Sequence, residues 1–488
     1  MNTRKFLSLS LLILLSTPMV FSQDAKLPDT PAARRLSAFL KSFNSGDQKT
    51  MREFHLNNAA QSVLARMSAD EISRMDSQFY NETGGVEVRR VAESADHSIT
   101  VLLQAKKGQW ISLRLQVEPS PPHKLTGLGI EEADPPAEPS SKPAAADPDF
   151  AARLENFINE QARADAFSGT VIVAKDGKTI FEKACGLASR SFNVPNNIDT
   201  KFNLGSMNKM FTAVAIAQLA ERGKLSFDDR VGKLIPDFPN KQIAEKVTIH
   251  HLLTHTSGMG SYFNEKYQRM AKDLLREVKD YMPLIVDEPL EFEPGAKWQY
   301  SNSGFMLLGL IVEKISGMNY FDYIRENIYK KAGMTDSDCY EMDTDVPNLA
   351  IGYTKMGPDE KPLQGGRKNN LFLHVVKGGP AGGGFSTARD LLKFDIALRS
   401  NKLLGAKYTD IVLTGKADTP RRGAKYAYGF IDRRAGATRI VGHGGGFAGI
   451  NSNLDMYLDS GYTVVVMSNY DPPAAQQVSE KIRQLLTQ

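Results

Sequence analysis

The chain has 488 residues, 41% hydrophobic and 24% charged, with a formal net charge of +4. This is an ordinary globular composition, long enough for two or more domains. Two of the excess positives are Arg4 and Lys5 at the extreme start, so the charge gives no reason to expect a nucleic-acid partner. Two cysteines, Cys185 and Cys339, are too few for a disulfide-stapled scaffold, although they can pair in an oxidising compartment if the fold brings them together.

Residues 1–22 read as a secretory signal peptide. Arg4 and Lys5 form the basic start, residues 6–15 are an apolar run too short for a spanning helix, and Val20-Phe21-Ser22 supplies the small residues that precede a cut. Export to a periplasm or the medium is expected, with no transmembrane segment once the leader is removed.

Residues 30–131 have a pattern of their own. A helix is predicted over 32–43, with Leu36, Phe39, Leu40 and Phe43 on one side, and shorter helices over 48–54 and 68–75. Strands follow at 86–92, 99–105, 110–117 and 124–130, with a turn at Lys107-Gly108. Helices followed by an antiparallel meander make a small α+β domain. The element order, and the segment around Ser45-Gly46-Asp47, resemble the cone-shaped NTF2-like domains. This domain shows no convergent catalytic set, and a binding or spacer role is expected. Residues 132–149 are rich in Pro, Ala and Ser, and Pro135, Pro136, Pro139, Pro143 and Pro148 mark a semi-extended linker.

The second domain covers residues 150–488. An amphipathic helix is predicted over 150–163, then strands at 169–174 and 178–184 joined by the hairpin turn Asp176-Gly177. A mostly helical middle is expected over 247–329. Strands return at 428–433, 438–441, 453–458 and 462–468, and a helix over 474–486 closes the chain. Strands from both ends thus bracket a helical insert, which predicts a mixed α/β fold with one mixed sheet flanked by helices and a helical subdomain.

Three stations in this domain carry chemistry. In Ser206-Met207-Asn208-Lys209, spacing of three places serine and lysine on one face at the start of an apolar helix. There an ammonium can lower the hydroxyl's effective pKa, or a neutral amine can take its proton. In Tyr300-Ser301-Asn302, the phenol can act as base or acid if nearby cations depress its pKa from about 10. Asn302 can hold both the lysine and a substrate amide. In His443-Gly444-Gly445-Gly446, after a strand expected to end at Val441, glycines let a substrate backbone approach closely. The backbone N–H groups of Ser206 and Gly446 can then form an oxyanion hole, and His443 can orient a substrate carboxylate or move a proton. His250, His251 and His255 lack the intervening glutamate of a zinc-protease helix, and no Lys-Ser or Lys-Thr follows Gly382-Gly383-Gly384 to make a phosphate loop. No metal or cofactor is expected.

Ser-x-x-Lys, Tyr-Ser-Asn and His-Gly-Gly, in that order, resemble the serine β-lactamase and penicillin-binding superfamily. The tyrosine and histidine match its branch of class C β-lactamases, D-Ala-D-Ala carboxypeptidases and esterases. Two further stretches match that branch: the run from Val247 to Gly258, which contains Leu253-Thr254-His255-Thr256-Ser257-Gly258, and Gly378-Gly379-Pro380-Ala381-Gly382-Gly383-Gly384-Phe385-Ser386-Thr387. The resemblance implies an antiparallel sheet flanked by helices and a serine hydrolase that forms an acyl-enzyme. It makes Ser206 the nucleophile, Lys209 its partner and Tyr300 the acid or base. Asn302, His443, Gly444 and Gly445 orient the substrate. His443 stands where class C β-lactamases carry lysine, which turns the expectation from β-lactam hydrolysis toward small esters, amides or D-amino-acid peptides. A penicillin-recognising sensor that acylates without turnover is the alternative. The partner is a small-molecule or peptide substrate, and the oligomeric state is left open.

Overall fold

The computed structural model describes residues 27–133, 149–357, 361, 363 and 365–487. The expected leader and nearly all of the expected linker lie outside the described residues. What is described falls into two compact units, one on each side of residues 134–148.

In the first unit, α1 (Pro31–Phe43), α2 (Gln48–Asn58) and α3 (Ala69–Thr83) precede β1 (Val86–Ala95), β2 (Ser98–Ala105), β3 (Trp110–Val117) and β4 (Leu125–Glu132). The strands pair antiparallel in chain order. Thr30, Asp47 and Ser68 each cap a helix by accepting a backbone N–H. The third helix runs past residue 75, its expected end, to Thr83. Gly84 stops it there in the left-handed conformation, φ 70°. Leu36, Phe39 and Phe43 pack with the alternate strand residues Val101, Leu103, Leu113 and Leu115.

The second unit begins with α4 (Phe150–Arg163), β5 (Gly169–Lys175) and β6 (Lys178–Cys185). Its middle carries α5 (Asn208–Glu221), α6 (Ile249–Thr254), α7 (Asn302–Ser316) and α8 (Ala388–Arg399). It ends with β7 (Ala417–Asp418), β8 (Ala424–Tyr426), β9 (Ile431–Ala435), β10 (Thr438–Phe447), β11 (Ile450–Tyr457), β12 (Tyr462–Ser468) and α9 (Ala474–Leu486). Eight strands form one sheet in the order β7-β8-β9-β10-β11-β12-β5-β6. Every neighbouring pair is antiparallel, so the sheet is not the mixed one that the bracketing strands suggested.

The centre of the sheet is buried on both faces, and the period of two decides which residue goes where. Val171, Val173, Val464 and Val466 meet Leu154 and Ile158 of α4 and Val478 and Ile482 of α9. Their neighbours Ile172, Ala174, Val465 and Met467 belong to the larger core on the other face, which contains α5. That helix is buried from Asn208 to Ala220, so it has no solvent side to show a polar stripe.

Two sequence expectations fail here. Residues 255–301 are mostly loop with short helical turns rather than helix. Pro283, Pro289 and Pro294 each remove a backbone donor in that stretch. Of the strand expected over 428–433, residues 431–433 lie in β9, whereas 428–430 form a corner between β8 and β9, turned by Gly429 at φ 75° and closed by the Ala427 N–H donating to the Phe430 carbonyl (2.8 Å). No described helix is long and apolar enough to cross a membrane.

The closing helix seals one face of the sheet, and Ile482 is fully buried in that seal. Ile482→Ala is expected to cost about 2–4 kcal/mol of stability. A shift in the urea midpoint worth less than about 1 kcal/mol would show that α9 does not carry this core.

Candidate active site

Ser206 lies on a single 3-10 turn, Gly205–Met207, that runs directly into α5. Gly205 has φ 50°, and the Gly445 Cα and Gly446 amide of β10 lie against it so closely that an added Cβ would sit 3.0–3.1 Å from them. At Gly445 a Cβ would meet the Leu204 carbonyl at 1.9 Å. Only glycine permits this approach of turn and strand.

The strand itself differs from expectation. β10 does not end at Val441 but runs through His443, Gly444, Gly445 and Gly446 to Phe447, all paired with β11. Its pairing with β9 stops at Gly442. Beyond that point its outer edge has no strand neighbour among the described residues, and the Ser206 turn lies against the freed segment.

Lys209, one turn into the helix, is 0% exposed. Its Nζ donates to Asn302 Oδ1 (2.8 Å) and to the Ala381 carbonyl (2.5 Å), and lies over the Tyr300 and Phe305 rings. Burial alone drives its pKa well below the ordinary lysine value. A neutral amine has two N–H bonds, and two acceptors are in place. Its lone pair is left for a third direction.

The Ser206 side chain reaches Tyr300 closely enough to influence its phenol. That contact pulls its pKa down, but burial outweighs it and pushes the phenol well above 10. The expected depression by cations is therefore corrected: among the described residues Lys209 is the one lysine or arginine in contact with Tyr300, burial disfavours its charged form, and burial of the phenol itself holds Tyr300 protonated. Asn302 begins α7, Ser301 caps that helix by accepting from the Gly304 N–H, and Asn302 Nδ2 donates to Ser261 Oγ (3.2 Å).

His443 is buried with both ring nitrogens engaged. Nδ1 donates to the Gly444 carbonyl (2.5 Å), which fixes Nε2 as the acceptor from the Tyr426 hydroxyl (2.9 Å). Burial, and then Lys209, lower its pKa to about 3. As placed, it is a neutral ring with no free donor for a carboxylate.

Sequence reasoning missed two groups. His255 ends α6 in the left-handed conformation (φ 61°) and accepts from the Ser301 N–H through Nδ1 (3.1 Å). It stacks on Tyr300 and Tyr426 with centroids 4.2 and 4.4 Å apart. Its Nε2 is buried without a hydrogen-bond partner. Tyr426, on β8, completes the ring cluster around Tyr300 and His443. The signal for His255 was its place in the Leu253-to-Gly258 stretch. Nothing in the residues around Tyr426 singled it out. His250 and His251 are engaged elsewhere, with Tyr428 and with the Thr248 N–H.

The Gly378–Thr387 stretch is the floor of the site. Ala381 holds Lys209, the Gly383 N–H donates to the Gly205 carbonyl (3.1 Å), and Asn208 ties Gly379 and Gly384 to α5. Cys339 accepts from Asn208 through its sulfur (3.4 Å), and it and Cys185 are both free thiols.

Comparison with known proteins places this arrangement. A sequence profile of the family described as Beta-lactamase matches residues 154–488. Penicillin-binding protein 4* of Bacillus subtilis is 30% identical over 65% of this chain and 71% of its own length. Esterase EstB of Burkholderia gladioli is 31% identical over 52% of this chain and 71% of its own. The crystal structure of a penicillin binding protein from Bacillus halodurans superposes with a TM-score of 0.61 at 34% identity, covering 68% of this chain and 98% of that one. The second unit carries the family's fold, and the chain belongs to the Beta-lactamase family of serine hydrolases.

Proposed function

We propose that this protein is an exported serine hydrolase that forms an acyl-enzyme on small esters, amides or D-amino-acid peptides. The observation that carries this reading is Lys209, buried, unpaired with any described carboxylate, one helical turn from Ser206 and over the ring of a protonated Tyr300.

In this reading the Ser206 hydroxyl gives its proton to the Lys209 lone pair as its oxygen bonds the substrate carbonyl carbon. The carbonyl oxygen becomes an oxyanion, held by the Ser206 and Gly446 N–H groups. The leaving group takes the Tyr300 hydroxyl proton as its bond to carbon breaks, and Lys209 returns a proton to Tyr300. Water then repeats the sequence on the acyl-enzyme. Asn302 holds the amine and orients the substrate, and Gly444 and Gly445 let it lie against the free edge of β10. His443 supports the wall through Tyr426. Residues 1–22 direct export, and the first unit serves as a binding or spacer module of cone-like form. The similarity to a penicillin-binding protein favours a second reading, in which acylation occurs once and turnover is slow.

The direct test is the intact mass after a fluorophosphonate probe. One adduct is expected on the wild type and none on Ser206→Ala. Absence of an adduct on folded wild type would remove the serine mechanism.

Proton acceptance by Lys209 also fixes a pH dependence. Its pKa lies well below the usual value, so the neutral form is enriched relative to an ordinary lysine and the acylation rate falls as acid protonates the amine. Lys209→Ala is expected to lower the acylation rate about 10²–10⁴-fold, as for loss of a general base. An unchanged rate in that variant, measured by stopped flow, would exclude Lys209 from the chemistry.

A further inference from the structure

The mouth of the site is apolar, and its apolar side chains are left open to solvent. Phe447 follows Gly446 on β10 and is 37% exposed; Phe263, two residues after the Ser261 that contacts Asn302, is 40% exposed. Their rings stack at 6.1 Å between centroids and 18° between planes, so one strand and one loop present a single aromatic surface. Phe263 is braced beneath by Tyr267 (4.9 Å, edge-on) and Tyr262 (4.5 Å), and Tyr262 packs on Tyr281 (5.1 Å). The surface is therefore backed by further rings, and it is tied to the reacting groups through Gly446 on one side and Ser261 on the other. Asn370 Nδ2 holds the Ala448 carbonyl (2.8 Å), and the next residues of its segment, Leu371 and Phe372, are also exposed.

A large side chain left half-exposed gains by covering its remaining surface, and an aromatic ring does so with added stacking. The polar inventory points the same way. Among the described residues, Lys209 is the only cation in hydrogen-bond or ring contact with Tyr300 or Asn302, and both its bonds are made inside the protein. Both nitrogens of His443 are occupied. A carboxylate brought against Tyr300 and Asn302 would lose its hydration and meet no counter-charge beside them.

We propose that the substrates are uncharged esters or amides whose acyl group is aromatic or aliphatic, seated on the Phe263–Phe447 pair, and that acyl groups bearing a carboxylate are rejected. This rests on the serine-hydrolase reading above and narrows it to one chemical class.

The test uses nitrophenyl acetate, phenylacetate and hemisuccinate with the full chain, reading kcat/KM from nitrophenol release, burst included. Each value is divided by the ester's hydroxide-catalysed rate. The corrected phenylacetate value is expected to exceed acetate by about tenfold or more, with hemisuccinate below acetate. In Phe447→Ser and Phe263→Ser the phenylacetate-to-acetate ratio is expected to fall about tenfold, and in Phe447→Leu by less. Fluorophosphonate labelling at Ser206 selects the variants whose site is folded. Should a serine variant fail to label, Phe447→Leu and the wild-type ester series still decide. Ser206-dependent turnover with hemisuccinate preferred, or with a ratio unmoved in labelled variants, overturns this inference and leaves the hydrolase reading standing. No Ser206-dependent nitrophenol release from any ester overturns both.

Discussion

An amine with no solvent, no carboxylate and two fixed acceptors is the constraint around which the second unit is arranged. Desolvation penalises the charged form of Lys209, and Asn302 and Ala381 satisfy only what a neutral amine can donate. Three segments far apart in the chain must converge for that to hold: the buried helix α5, the start of α7 and the glycine-rich Gly378–Thr387 stretch. The same desolvation keeps Tyr300 protonated and His443 and His255 neutral. Desolvation thus acts on the protonation of four groups at once, with no carboxylate among their described hydrogen-bond partners.

The glycines serve that pocket by distance more than by torsion. Gly445 admits the Leu204 carbonyl, and Gly382 lies where an added Cβ would come within 2.9 Å of the Gly205 carbonyl oxygen. Side chains at either place would push the serine turn from the strand or from its floor. The His443-to-Gly446 run is therefore a regular strand stripped of side chains on the side where another backbone lies.

Much of this was legible in sequence because it depends on short-range rules. The helices at Phe150–Arg163 and Ala474–Leu486 and the strands Trp110–Val117 and Tyr462–Ser468 follow the hydrophobic period and run to their expected ends. The Ser206–Lys209 spacing and the order of the three stations located the site, and the structure brings those residues together. What failed depends on long-range context. Gly444, Gly445 and Gly446 have poor strand propensity, and only pairing with β11 keeps them extended. The fall of the Lys209 pKa, which reverses the expected effect on Tyr300, comes from burial by segments that no local window contains. Tyr426 was invisible because its partner His443 lies across a corner read as a strand.

The sheet closes on strands from opposite ends of its unit: Gly169 of β5 pairs with Ser468 of β12, and Val171 with Val466. For synthesis on the ribosome this has a plain consequence. The segment bearing Ser206 and Lys209 emerges early, while the strand that supplies Gly446 and the one that clasps β5 emerge near the end. Until then the edge of β5 that pairs with β12 has no partner, and α5 lacks the sheet against which it packs. In the proposed mechanism Ser206 lacks the Gly446 amide until the last strands are made, so reactivity toward acyl compounds is expected only once they are released.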